Sequence, residues 1–167
     1  MAYADKGIIM FTIKESSIKT YNGNYMVDPY SVVYNSVCAG GQLFFGDDRH
    51  FFIDIDIETG RCYGISIILD AFDFCNIDYT IDKFSEAELF YNDPSTKKYQ
   101  FYTTENLLPK CYVNKDNRLI LIGNPNTKIE LVRFFDDTYA AINDNRIELL
   151  IIRVGEDVIQ KIKSIKE

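Results

Sequence analysis

The chain has 167 residues, of which 47% are hydrophobic, and 25 acidic against 18 basic side chains give it a formal net charge of −7. This length fits one domain with a core of its own, so we expect a single domain over residues 1–167. The negative charge argues against nucleic acid or an anionic membrane as a direct partner, because phosphate groups are bound mainly by lysine and arginine. Twelve tyrosines and twelve phenylalanines favour strands over helices.

Short strands are predicted in the first fifty residues. Residues 7–13, 30–37 and 42–46 carry β-prone side chains. The pair Asn22-Gly23 lies between β-prone flanks and is typical of a two-residue turn, so a hairpin is also predicted over residues 17–27.

A hairpin pattern follows at residues 50–69. Three isoleucines alternate with acidic residues from position 53 to 58, and Gly60 can supply the left-handed conformation of a three-residue loop. Because side chains of a strand alternate between its faces, Asp54 and Asp56 are expected on the face opposite the isoleucines. The loop predicts three cross-strand pairs: Ile57 with Arg61, Ile55 with Tyr63, and Ile53 with Ile65.

The alternation returns at residues 77–82, where Tyr79 lies on the apolar side and Asp78 and Asp82 lie on the other. A helix is predicted next, over residues 86–91. Ser85 and Glu88 have the spacing of a capping box, in which each side chain bonds a backbone N–H at a helix start.

The second half of the chain predicts an antiparallel meander that ends in a helix. The run 149–152 is apolar on both faces, as in a central strand, and residues 156–166 have the pattern of an amphipathic helix. The predicted fold class is therefore α+β, dominated by antiparallel β-sheet, with a short middle helix and a C-terminal amphipathic helix. The predicted strands of the meander are 99–103, 110–114, 118–122, 128–135, 138–143 and 146–154.

Few residues are suited to catalysis. His50 is the sole histidine, and no nucleophile motif accompanies it. Asp54 and Asp56 have the spacing of a cation-binding D-x-D element, since hard cations prefer clustered carboxylates. Here they alternate with isoleucines along a strand, which favours an ordinary sheet face. We therefore expect no enzyme activity, no metal and no cofactor.

The cysteines and the N-terminal residues predict a cytoplasmic protein. The chain shows no C-x-x-C pair, and its first residues lack the basic and apolar regions of a signal peptide. We expect four reduced thiols, at Cys38, Cys62, Cys75 and Cys111.

Acidic residues are concentrated in one region. Residues 44–93 hold twelve acidic and three basic side chains, a net charge of −9, so the rest of the chain sums to +2. Such a region suits a basic protein partner, with nearby aromatic rings as anchors. Asp54 and Asp56 are the first candidates for partner binding. The further candidates are Asp47, Asp48, Asp78, Asp82, Phe72 and Tyr79.

The sequence resembles the immunity proteins of bacterial toxin–immunity systems, including those of contact-dependent growth inhibition. The residues behind the resemblance are FFGDD at 44–48, before the predicted hairpin, and FFDDTY at 134–139, before the last one. The resemblance implies a cytoplasmic protein that binds a toxin domain, often a basic nuclease, and blocks it. An acidic inhibitor would compete with nucleic acid for such a toxin and would associate quickly.

Two other classes of function stay open at this point. The density of aromatic residues also suits a β-rich domain that binds a small molecule or sugar within a larger assembly. The D-x-D spacing also suits an enzyme that uses an aspartate-held metal ion.

Overall fold

The computed structural model describes residues 11–35, 40–45, 51–69, 77–91, 99–102, 111–114 and 118–166, which form thirteen strands and one helix. The elements are β1 Phe11–Glu15, β2 Tyr25–Val27, β3 Ser31–Tyr34, β4 Gly40–Phe45, β5 Phe51–Asp56, β6 Cys62–Ile68, β7 Phe84–Tyr91, β8 Tyr99–Tyr102, β9 Cys111–Asn114, β10 Leu119–Gly123, β11 Leu131–Phe135, β12 Thr138–Asn143, β13 Arg146–Arg153 and α1 Glu156–Lys166.

The strands form two sheets. A seven-stranded sheet has the order β1-β7-β11-β12-β13-β10-β9, and a six-stranded sheet has the order β2-β3-β6-β5-β4-β8. Neighbours pair antiparallel except β7 with β11 and β4 with β8, which are parallel. The predicted α+β class with mainly antiparallel sheet is confirmed, and a strand occurs at each of the six positions predicted in the second half of the chain. The predicted meander is wrong in its connections: β8 pairs parallel with β4 in the six-stranded sheet, and β10 pairs with β13 and β9. Among the described strands, only β9 with β10, and β11 with β12 and β13, follow the meander order, because distant partners decide which strand edges meet.

Both sheets and the helix pack around one inner core. Ile53 and Ile65 enter it from the six-stranded sheet, and Leu150 and Ile152 enter it from β13. The alternate residues of β13, Leu149 and Ile151, belong to a separate outer cluster on the opposite face of the seven-stranded sheet. The run 149–152 is thus buried on both faces, as predicted.

The C-terminal helix is confirmed with its predicted bounds. Val158, Ile159 and Ile162 of α1 are buried in the inner core, while Ile165, one turn further on, is 51% exposed. Acidic Glu156 and Asp157 open the helix, where its dipole favours negative charge.

The predicted middle helix at residues 86–91 is wrong, because this segment belongs to β7. Ala87, Leu89 and Tyr91 are buried, whereas the residues between them are partly exposed, and this period of two is that of a strand. Glu88 does not cap a helix. Its carboxylate forms an ion pair with Arg61.

The predicted register of the hairpin is right at one end and wrong at the other. Ile53 pairs with Ile65 as expected, but a bulge then places Cys62 opposite Ile55 in place of Tyr63. The backbone N–H of Asp56 donates to the carbonyl of Arg61 at 2.9 Å, so Arg61 lies opposite Asp56 and not opposite Ile57 as predicted. Gly60 has φ +78°, the left-handed conformation expected of it.

The hairpin predicted around Asn22-Gly23 is also wrong. Asn22 has φ 59°, as a turn residue can, but residues 16–24 form no strand. The backbone N–H of Tyr21 donates instead to Oδ2 of Asp136, across 115 residues of sequence. Tertiary contact therefore decides the path of this segment.

Buried hydrogen bonds join the two sheets at the turn between β11 and β12. The Tyr34 hydroxyl donates to Asp136 Oδ2 at 2.6 Å and accepts the N–H of Gly23 at 2.8 Å. Thr138 Oγ1 donates to the carbonyl of Asp136 at 2.8 Å. A threonine hydroxyl has a single proton, so the Tyr25 hydroxyl donates in turn to Thr138 Oγ1, at 2.5 Å. Burial raises the pKa of Tyr25, which keeps this donor protonated.

We predict that Tyr34→Phe destabilises the fold by about 1–3 kcal/mol, because it removes one of the donors to the buried Asp136 carboxylate and the acceptor of the Gly23 N–H. Urea denaturation monitored by circular dichroism measures the loss. Tyr30→Phe is the matched control, since Tyr30 is 75% exposed, and it should change stability by less than about 0.5 kcal/mol. Equal stability of the Tyr34 and Tyr30 variants would contradict a structural role for the network.

Candidate functional site

Asp54 lies on the outward face of β5. It alternates with Ile53 and Ile55, which are 0% and 1% exposed, and its cross-strand neighbour on β4 is Gln42. The carboxylate is half-buried and has no hydrogen bond or ion pair with any other residue that the structure describes. Burial raises its pKa from the ordinary 3.8 to about 6. Asp54 is thus a partly desolvated acid whose charge is uncompensated.

Asp56 lies two residues further along the same face, but its carboxylate is used within the turn. Its Oδ1 accepts the backbone N–H of Glu58 at 2.8 Å and that of Thr59 at 3.2 Å. An aspartate that bonds the N–H groups following it stabilises a turn. The two acids of the D-x-D element therefore have different environments.

The outward face of β5, with Phe52, Asp54, Asp56 and the neighbouring Gln42, is called the hairpin face below. Phe52 pairs with Ser66 on β6, and Asp54 pairs with Gln42 on β4, so the face continues across three strands. This combination of an aromatic ring, an amide and two carboxylates suits contact with a cationic protein side chain.

The crossing segment, residues 77–83, carries the second group of predicted site residues. The side-chain amide of Asn114 donates to the carbonyls of Ile77 and Tyr79 and ties the segment to β9. Tyr79 is half-buried against the outer cluster, and burial, followed by the nearby charge of Asp82, raises its pKa. The exposed residues of the segment are Asp78, Thr80, Asp82 and Lys83.

The acidic candidates that the structure describes do not form one surface. The hairpin face points away from the inner core on the six-stranded sheet, whereas the crossing segment covers the outer cluster of the seven-stranded sheet. The two groups therefore lie on opposite sides of the inner core. Asp78 and Asp82 lie on the side of their segment away from Tyr79, as predicted.

Several residues singled out from the sequence lie outside the described ranges. Asp47, Asp48 and Phe72 are candidates for partner binding, His50 is the sole histidine, and Cys38 and Cys75 are expected to be reduced thiols.

The structure gives a role to acidic and basic residues that the sequence pattern did not distinguish. Asp136, within the FFDDTY run, is 8% exposed and anchors the buried network. Glu86 and Glu88 of β7 pair with Arg133 and Arg61. These partners are distant in the sequence, so no local spacing signals them.

Within the described residues, no group of three histidine, cysteine, aspartate or glutamate side chains is arranged to hold a metal ion. Over the same ranges, no helix has the length and hydropathy required to cross a membrane. Cys62 is a buried free thiol. No protein-family model matches the chain, and no curated protein matches it.

We predict that Asp54→Asn makes the protein more stable than the wild type at high pH. The variant should also lose the part of the pH dependence of unfolding free energy that Asp54 causes. Because the folded-state pKa of Asp54 exceeds its unfolded value, the wild type keeps its full stability below about pH 4 and loses part of it as pH rises through about 6. Partial exposure limits the change between about pH 4 and pH 8 to about 1–2 kcal/mol.

Urea denaturation of both proteins at several pH values measures this difference. Asp78→Asn removes one negative charge from an exposed site and serves as control. A stability difference between wild type and Asp54→Asn that stays constant with pH would contradict the prediction, because it would show that the pKa of Asp54 is the same in the folded and unfolded states.

Proposed function

We propose that this chain is an immunity protein that binds and neutralises a cognate bacterial toxin domain of basic charge, most simply a nuclease. The observation that supports the proposal is the net charge of −9 confined to residues 44–93, against +2 in the remainder. Charge needed for solubility alone has no reason to be concentrated in one stretch of the sequence, whereas an inhibitor of a basic protein gains from clustered negative charge that attracts it.

The hairpin face is the part of that region we assign to the toxin. Asp54 is half-buried and lacks a compensating charge among the described residues, so an arginine or lysine of the partner would supply it. Asp56 is held by the turn, which limits the side-chain entropy it can lose on binding. Phe52, two residues before Asp54 on the same face of β5, is half-buried and offers apolar contact area.

Inhibition would follow from occupancy of the toxin surface that binds nucleic acid. A basic nuclease attracts phosphates with its lysines and arginines, and carboxylates held on a rigid strand compete for the same groups. Long-range electrostatic attraction would raise the association rate constant toward about 10⁸–10⁹ M⁻¹s⁻¹ at low salt.

The direct test of function is protection of cells. The open reading frame beside this gene is expressed from an inducible promoter, with or without this chain. Growth that stops on induction and is restored by this chain supports the proposal. Growth that stops in both cultures, with the two proteins failing to co-purify, would contradict it.

We predict that Asp54→Asn combined with Asp56→Asn slows association with the toxin domain by about tenfold at low salt and flattens its salt dependence. Asparagine keeps an oxygen that can accept the turn hydrogen bonds of Asp56, so the fold should be retained. Stopped-flow fluorescence at several salt concentrations measures the association rate.

The matched control removes two exposed acids elsewhere, with Glu130→Gln and Asp144→Asn. It gives the same net charge and should leave association within about twofold of the wild type. Equal slowing by both double variants would mean that overall charge, and not the hairpin face, attracts the partner.

A further inference from the structure

The two sheets also meet where the tip of the β5–β6 hairpin contacts β7. On one edge of β7, β11 pairs with Phe84, Ser85 and Glu86. Further along the same edge, the tip of the β5–β6 hairpin takes the place of β11. Arg61 forms an isolated backbone bridge with Phe90, and the N–H of Tyr91 donates to the carbonyl of Gly60 at 2.8 Å. We call the contact of Gly60 and Arg61 with Glu88, Phe90 and Tyr91 the hairpin junction.

Arg61 is poorly satisfied at this junction. Its side chain is 17% exposed, and its Nε and Nη2 are buried without a hydrogen-bond partner. Its Nη1 lies 3.6 Å from Oε1 of Glu88, an ion pair too long for a hydrogen bond. The guanidinium carbon lies over the Tyr63 ring, 5.2 Å from its centroid. The Arg61 guanidinium is therefore largely removed from water without hydrogen bonds that replace those it made to water.

The other buried polar atoms without a partner, among the described residues, lie on chain segments that neighbour the same part of β7. They are Nε of Arg133 and Oγ of Ser16. Arg133 lies beside Glu86, and Ser16 directly follows β1, whose last residue pairs with Ala87. Within the part of the chain that the structure describes, each buried donor left without a partner therefore adjoins the stretch from Glu86 to Glu88.

Unsatisfied buried donors weaken the contact that buries them. Each loses its hydrogen bonds to water on closing and regains them on opening, so each shifts the local equilibrium toward the open form. The bond from the Tyr91 N–H and the bridge at Phe90 oppose opening, but the described backbone offers no longer ladder here. Proteins open locally in regions of such low stability.

We propose that the hairpin junction is a hinge at which residues 57–61 separate reversibly from β7 while both sheets stay folded. Opening frees Arg61 to reach water and exposes the ends of β5 and β6. The inference does not depend on the proposed function, although the hinge lies next to Asp56.

Cys62 is a natural reporter of this motion. It directly follows Arg61, is 0% exposed, and its Sγ lies 3.8 Å from the carbonyl of Gly60. Burial raises the pKa of the Cys62 thiol, so it reacts only when the junction opens. Labelling by N-ethylmaleimide, resolved by peptide mass spectrometry, follows Cys62 separately from the other cysteines.

The first experiment measures the labelling rate of Cys62 in the wild type across urea concentrations below the unfolding midpoint. Local opening exposes little surface, so the logarithm of the rate should rise with less than about one third of the urea dependence of global unfolding. A rate with the same urea dependence as global unfolding would overturn the proposal.

The second experiment replaces the poorly satisfied pair by Arg61→Met with Glu88→Met. Removal of the buried donors should slow Cys62 labelling by at least about fivefold. Lys128→Met with Glu130→Met is the control, because it changes an exposed pair of the same charges and should stay within about twofold of the wild type. Labelling of the Arg61 and Glu88 variant that is as fast as in the wild type, or faster, would overturn the proposal.

Discussion

Two tyrosines of the six-stranded sheet donate hydrogen bonds to the turn between β11 and β12, and this contact fixes how the two sheets meet. Tyr34 reaches the Asp136 carboxylate and Tyr25 reaches the Thr138 hydroxyl, both in buried surroundings. A buried carboxylate is tolerated when donors surround it, and Asp136 also receives the N–H of Tyr21. The same network also holds the backbone at Tyr21 directly and at Gly23 through the Tyr34 hydroxyl.

The arrangement of the sheets has a consequence for function. Because the inner core lies between them, the outward side of β5 and the crossing segment face away from each other. The acidic region is continuous in sequence but divided in space, so a partner that contacts one part does not contact the other. Electrostatic attraction acts over roughly 10 Å at moderate salt, which lets both parts attract a basic protein while only one is in contact.

Sequence patterns predicted the parts of the fold that depend on local periodicity. The alternation at 53–56 and at 77–82, the apolar run 149–152 and the amphipathic pattern of α1 each follow from which side chains must leave water. The face of Asp54 and that of Asp78 could be assigned on this basis alone.

Features that depend on distant partners could not be predicted in the same way. The spacing of Ser85 and Glu88 is compatible with a helix cap, and only the neighbours of β7 on both edges make the segment a strand. The bulge opposite Ile55 needs the tertiary position of β6. Asp54 and Asp56 have different environments, because the turn binds the carboxylate of Asp56 and burial desolvates that of Asp54. The residue type is the same at both positions, so the sequence does not distinguish them.

Hydrogen–deuterium exchange of the chain with and without the proposed toxin partner tests the central claim, that the hairpin face and not the crossing segment binds this partner. The account predicts that peptides over residues 51–56 become protected on binding, while peptides over residues 77–83 exchange as in the free protein. Protection of 77–83 with unchanged exchange at 51–56 would contradict it and would place the partner on the opposite side of the inner core.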